Sequence, residues 1–360
     1  MDDVLEVCYL LEDTALFGGV KVVLRQANLL ARRGHRITIL SKAPAPSWFE
    51  VEAELRQVSH FGPGMLPPAQ VTVATYWTTL EPALAAASGE VVHYCQGFEG
   101  SYTHNRSDHA AIRQAYALPV PALTVAPHLS QLLAERFQRP SRVVPQPLEP
   151  FWTPSRWPRL QAPKKPRILV TSPFEIDWKG VETSLKAVLE LRRLGIDAAL
   201  VRLSQWPQTD AERELLEADE FHTHVPPHQA AEIVRGCDLL LAASWEQEGF
   251  GLPVLEAMAS GVPVIASDIP CFADYAATAA RLVPFDEPLA FARAAKELLG
   301  SSSEWRQRRK AGLEVAAGYR EDLASVAAEK AMRWVAEGRW RREAEALRRV
   351  RTRLATPDLG

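Results

Sequence analysis

The sequence is poor in cysteine. Its four, Cys8, Cys95, Cys237 and Cys271, lie far apart and form no C-x-x-C pair. That argues against a disulfide framework or a zinc knuckle and fits a reducing compartment. A surplus of positive charge is also missing: 41 Lys and Arg face 44 Asp and Glu, a formal net charge of −3. No global field is therefore available to grip nucleic acid. There is no run of the ~20 mainly apolar residues that a membrane helix needs. The two long stretches without Asp, Glu, Lys or Arg, Gln57 to Leu80 and Gln114 to Ala134, are interrupted by prolines and polar residues. The opening MDDVLEVCYLLED carries acids where a secretory leader carries positive charge, so a cytoplasmic location is expected. No G-x-G-x-x-G follows the first apolar run, which speaks against a dinucleotide oxidoreductase.

With 47% apolar and 24% charged residues, the composition is that of a globular protein and excludes general disorder. The 360 residues suggest two domains or three. Short β-rich runs alternate with helical patterns, the signature of parallel α/β sheets. Early strands read VLEVCYL, RITIL, VTVATY and VVHYC, with a helical pattern VKVVLRQANLLARRG ending at Gly34. From Pro145 to Pro166 seven prolines occur in 22 residues, which reads as a stiff connector. Alternation then resumes through RILVTS, a helix over 181–193, AALVRLS, a helix near 229–235, DLLLAAS, a further helix and VPVIASD. After Gly300 the pattern is helical and basic. The expected division is a first α/β domain over 1–150, a linker over 151–166, a second α/β domain over 167–318 and a helical tail over 319–360.

The most informative stretch is Ser244 to Asp268, SWEQEGFGLPVLEAMASGVPVIASD. A strand runs into a loop holding Glu248, Gly249, Phe250 and Gly251, and a helix opens with Pro253 and carries Glu256 one turn in. A glycine-flanked loop opening a helix presents free N–H groups to an anion. Glu256 could accept two hydrogen bonds from a vicinal diol such as ribose. On its own the pattern reads first as an ordinary βα connection with two solvated glutamates.

EGFGLPVLE followed by AMASGVPVIASD resembles the signature of retaining glycosyltransferases of family 4, which have the GT-B fold. LFGGVKVVLRQANLLARRGHRITIL resembles that family's opening glycine loop and first helix, and DWKGVETSLKAV its lysine-glycine segment. HTHVPPHQAAEIVRGCDLLLAAS resembles its strand, helix and strand before the glutamates. The likeness covers about two thirds of the chain and is best in the second half. It implies two Rossmann-like domains facing across a cleft, with a C-terminal helical segment returning to the first. The implied activity is metal-independent transfer of a sugar from a nucleotide-sugar to a glycan or lipid-linked acceptor. No separate cofactor is implied.

Residue by residue, the resemblance implies that Glu256 binds the donor ribose and Glu248 touches the donor sugar, with the Gly249, Phe250 and Gly251 amides nearby. It implies that Lys179 neutralises the departing pyrophosphate. Gly18 and Gly19 would let backbone approach the donor phosphate. Gln96, in VVHYCQGFEG, aligns with a histidine that the family places near the reacting centre. QGFE also resembles the Q-D-Y-E of some bacterial rhamnosyltransferases of this family. His93 falls on the opposite face from Gln96 by strand alternation, so a structural role is expected for it. Where the family has an arginine five residues before the lysine, this chain has Phe174, and Arg202 is a candidate replacement. The absence of any Asp-x-Asp argues against metal-bridged pyrophosphate, and no metal is expected at His222, His224 and His228. His35, after a helix-capping glycine, reads as structural.

The tail from Arg333 to Arg353 carries eight arginines among Trp334, Trp340, Leu347 and Val350. It reads either as a helix packing on the first domain or as a peripheral contact with anionic lipid. A catalytically silent nucleotide- or glycan-binding protein, and an epimerase or phosphorylase of the same fold, remain as alternatives.

Overall fold

The computed structural model describes residues 4–157 and 160–355, with side chains as far as 349. Val350, Arg351 and Arg353 of the basic tail thus lie outside the residues whose side chains are described. The chain forms two compact units, Met1–Pro147 with Glu321–Gly360, and Leu148–Arg320.

In the first unit the strands are β1 (Glu6–Leu11), β2 (Arg36–Ser41), β3 (Glu54–Gln57), β4 (Val71–Ala74), β5 (Glu90–Cys95), β6 (Ala122–Thr124) and β7 (Ser141–Val143). They pair in parallel in the order β3-β2-β1-β4-β5-β6-β7. The helices between them are α1 (Gly18–Arg32), α2 (Trp77–Ala86), α3 (His109–Tyr116) and α4 (Pro127–Phe137). Cys8, Tyr9 and Leu10 are all fully buried, as a parallel strand covered on both faces requires. The apolar stripe of α1 buries Val23, Leu24, Ala27 and Leu30, and Gly34, at φ +91°, turns the chain away after it. The strand order reverses between β1 and β4.

The second unit holds β8 (Arg167–Thr171), β9 (Ala199–Ser204), β10 (Glu220–Thr223), β11 (Leu239–Ala242), β12 (Val264–Ser267) and β13 (Arg281–Val283). Their order is β10-β9-β8-β11-β12-β13, again parallel, reversing between β8 and β11. Its helices are α5 (Val181–Arg193), α6 (Asp210–Leu215), α7 (Pro227–Arg235), α8 (Leu252–Ala259), α9 (Pro270–Tyr275), α10 (Pro288–Gly300) and α11 (Ser302–Ala317). Ile168 and Val170 of β8, Leu185 and Val188 of α5 and Phe291 and Leu298 of α10 share one core. The proline-rich connector lies along this unit. Arg235 donates to the carbonyls of Phe151 and Thr153, and Trp152 is buried with its indole N–H on Glu149, 2.9 Å away.

The last helices, α12 (Glu321–Ala336) and α13 (Trp340–Ala355), belong to the first unit. Arg33 donates to Glu329 at 2.6 Å, and Arg142 bridges to Glu343 while lying over the Trp334 ring, 4.2 Å from its centre. Trp340 donates to Glu90 at 3.1 Å. Both tail tryptophans are therefore used in packing. His35 is buried as well, its Nδ1 accepting from the Leu5 N–H at 3.2 Å.

Candidate active site

In open parallel sheets, ligands collect at the carboxyl ends of the strands where the order reverses. In the second unit that point lies between β8 and β11. Lys179 ends a 3-10 turn (Asp177–Lys179) after β8, and Glu248 sits in the loop after β11. The two loops are joined through their backbones, the Trp245 N–H donating to the Trp178 carbonyl at 2.8 Å. Gly180, at φ +60°, brings the lysine turn against β11 so closely that a Cβ there would overlap the Ala243 carbonyl. This approach sets Lys179 Nζ 2.6 Å from Glu248 Oε2, which also accepts from Ser244 Oγ at 3.2 Å. Glu248 is 8% exposed, so the ammonium is its main source of charge compensation.

The loop continues through Gly249 and Phe250 into Gly251, which stands before the first turn of α8 at φ +78°; a Cβ on it would overlap the Phe272 ring. The Phe250 ring turns into the core, stacked on Tyr275 with centroids 4.6 Å apart. What Phe250 can offer a ligand is its backbone. Tyr275 in turn donates its hydroxyl to the Gly251 carbonyl at 3.1 Å, fixing the loop from behind. Glu256 lies one turn into α8, half-buried. Glu248, the Gly249–Gly251 backbone and Glu256 thus lie on the β11–α8 segment, and Lys179 joins them at Glu248 from the turn after β8.

In the first unit, Gly18 and Gly19 are the first two residues of α1, beyond β1, and Gln96 directly follows β5. Gln96 Nε2 donates to the Gly19 carbonyl at 3.2 Å, so these sequence-selected residues meet. His93, by contrast, is fully buried with its Nδ1 3.3 Å from Arg139 Nη1. Burial, reinforced by that guanidinium, holds its imidazole well below the usual histidine range. It is a core residue.

The proposal of Arg202 as a replacement phosphate clamp is corrected by the structure. Arg202 is 0% exposed and donates to Glu212 Oε1 at 2.6 Å, to the Val170 carbonyl at 2.6 Å and to the Ser172 carbonyl at 2.8 Å. All its nitrogens are engaged, and its work is to hold the end of β8, where Ser172 has φ +82°. Phe174 packs against the unit's core. Sequence reasoning also overlooked Ser244 and Tyr275, which support Glu248 and Gly251 from the same unit. Ser244 was legible as the first residue of the motif, whereas nothing in the sequence joins Tyr275 to a loop 24 residues earlier. Among the described residues no group of three or more His, Cys, Asp or Glu is placed to hold a metal ion.

Residues 165–301 match the family described as Glycosyl transferases group 1. A D-inositol 3-phosphate glycosyltransferase of Nocardia farcinica is 31% identical over 111 residues, 31% of this chain. That match spans about a quarter of the length of the relative, 24%. Among solved structures, sucrose-phosphate synthase of Thermosynechococcus elongatus superposes with a TM-score of 0.72 at 14% identity, covering 91% of this chain and 98% of that one. The Anabaena protein HepE, solved in complex with UDP and glucose, superposes with a TM-score of 0.73 at 13% identity, covering 89% and 97%. The chain has the GT-B fold, and its likeness to the glycosyl transferases group 1 family falls on residues 165–301.

Proposed function

We propose that this protein is a retaining, metal-independent glycosyltransferase that moves a sugar from a nucleotide-sugar to an acceptor hydroxyl, in glycan or cell-surface polysaccharide biosynthesis. The observation that carries this reading is the Lys179–Glu248 pair at the strand-order reversal of the second unit, beside the first turn of α8. When a glycosidic bond to a nucleoside diphosphate breaks, negative charge grows on the leaving phosphate, and a fixed cation with free helix N–H groups stabilises that charge most. Lys179 supplies the cation without a metal. Glu256 takes the ribose hydroxyls and Glu248 faces the sugar, while Gly18, Gly19 and Gln96 serve the same reaction from the first unit. The route proposed is front-face, in which the leaving phosphate accepts the acceptor's proton. The acceptor is a glycan or a lipid-linked glycan. No helix among the described residues is long and apolar enough to cross a membrane. Inward packing of Trp334 and Trp340 favours a tail that braces the first unit over one that rests on lipid.

One observation favours a second reading, a silent nucleotide-binding protein: Phe174 stands where a second cation is expected, and Arg202 cannot replace it. Release of nucleoside diphosphate from a nucleotide-sugar in the presence of acceptor separates the two. Acceptor-dependent release supports the transferase, whereas tight binding without release supports the silent protein.

A further inference from the structure

A polar cluster that the proposed reaction does not use lies buried in the first unit, directly behind Gln96. Glu99 is only 4% exposed. Its carboxyl meets the hydroxyl of Tyr116 on α3, and the same hydroxyl lies 2.9 Å from the carbonyl of Gly97. Gly97 adjoins Gln96, whose amide reaches the Gly19 carbonyl. A hydroxyl has one hydrogen and here faces two acceptors. If Glu99 is a neutral acid, the count closes: its O–H donates to the Tyr116 oxygen, and the Tyr116 O–H donates to Gly97. If Glu99 is ionised, it takes the Tyr116 hydrogen and Gly97 keeps only the Cys95 thiol, a weak donor whose sulfur lies 3.2 Å away.

We propose that the proton on Glu99 is a positioning device, relayed through Tyr116 to the Gly97 peptide, which sets Gln96 against the glycine loop at the start of α1. The inference rests on the proposed function only in taking Gln96 as a residue of the reacting site. Burial pushes the Glu99 carboxyl up to about 7, so both forms are reached near neutral pH. The groups facing it are Tyr116 from α3, Cys95 and, further back, His93 from β5, Tyr76 from the N-cap of α2, and the Arg139 guanidinium ahead of β7. Arg139 favours the ionised form, but it is held by the carbonyls of Val120, Tyr116 and Pro121 and by His93. Burial raises the Cys95 and Tyr116 ionisations and lowers that of His93, so none of these three changes charge near neutrality.

The test follows Glu99 and Gln96 separately in the full-length chain. Infrared difference spectra between the parent and Glu99→Gln read the protonated carboxyl, and NMR of isotope-labelled glutamine reads the Gln96 side-chain amide, from about pH 6 to about pH 8. The expected result is a carboxyl band lost with a midpoint near 7 and a Gln96 signal that moves with it. In Glu99→Gln, which keeps a donor towards Tyr116, the Gln96 signal should stay at its low-pH position throughout. In Tyr116→Phe, folded by circular dichroism, the carboxyl should still titrate while Gln96 no longer responds. A carboxyl ionised across the whole range, or a Gln96 signal indifferent to its titration in the parent, overturns the proposal. If only the protonated form positions Gln96 productively, turnover falls about tenfold from pH 6 to pH 8 in the parent and stays flat in Glu99→Gln. Intact NMR coupling without that fall would uphold the relay and count against Gln96 in the reaction.

Discussion

In the resting site Lys179 is already neutralised by Glu248, and a phosphate must take it over. Lys179→Met, Glu248→Gln and the double variant measure this directly. At an effective dielectric of 20 a contact pair attracts by about 4 kcal/mol, less side-chain ordering and desolvation. The side chains of Lys179 and Glu248 are 23% and 9% exposed, so screening reduces the net further. A coupling of about 1–3 kcal/mol is expected, above the 0.2–1 kcal/mol of open surface pairs. Lys179→Met should destabilise more than Glu248→Gln, because it takes the cation from a buried carboxylate and leaves it the neutral Ser244 hydroxyl. Urea unfolding gives the cycle without ligand, and repeating it with saturating nucleoside diphosphate should shrink the coupling as the lysine turns to phosphate. Glu248→Gln should bind nucleoside diphosphate more tightly than the parent, since it removes both a competitor for the lysine and a like charge. Additivity within about 0.5 kcal/mol, or weaker nucleoside diphosphate binding by Glu248→Gln, would mean that the two side chains do not compete for the lysine's charge.

Gly180→Ala should lower thermal stability. A left-handed non-glycine residue costs about 1–2 kcal/mol, to which displacement from the Ala243 carbonyl adds; an unchanged melting temperature would contradict the close approach. Arg202→Met should cost about 3–5 kcal/mol in urea unfolding by stranding Glu212, which is 2% exposed. Its residual folded protein should bind nucleoside diphosphate normally, and a selective loss of that affinity would return Arg202 to the site. The Glu99 carboxyl is raised from 4.5 to about 7 on folding, so its stabilising share is complete below the lower value and is lost as pH rises through the upper. Denaturant titrations at about pH 5 and pH 8 should therefore shift the comparison in favour of Glu99→Gln by up to about 3 kcal/mol; a constant difference would mean that Glu99 does not titrate there. EDTA should leave transferase activity intact, and loss restored by magnesium would count against the metal-free route.

Much of the second unit was legible because apolar periodicity and turn residues agree there. The helix over 181–193 is bounded by Gly180 and Gly195, and DLLLAAS is an uninterrupted apolar run ending in a glycine-rich loop. The first unit was harder. β3 reads ELRQ, an exposed edge strand without apolar alternation, and β6 and β7 are three residues each, too short for a period to register. At the site, residue types and order pointed to Lys179, Glu248 and Glu256. The support from Tyr275 and the Glu99–Tyr116–Gly97 cluster depends on tertiary contacts between elements that no local pattern joins. Arg202 shows the opposite error. A cation in a strand near a suspected anion site looked available, but its position on β9 turns it inward, where carbonyls and Glu212 consume it.

On this reading the loops after β8 and β11 hold a nucleoside diphosphate through Lys179 and Glu256. Calorimetric titration of uridine, guanosine and adenosine diphosphates into the parent protein, Glu256→Ala and Lys179→Ala measures that hold. At least one diphosphate should bind the parent, and Glu256→Ala should weaken it by about 1.5–3 kcal/mol, tenfold or more. Lys179→Ala should also weaken binding, with the folded state of both variants verified by circular dichroism. Diphosphate affinity unchanged in both variants, or no binding of any of the three to the parent, would contradict this reading.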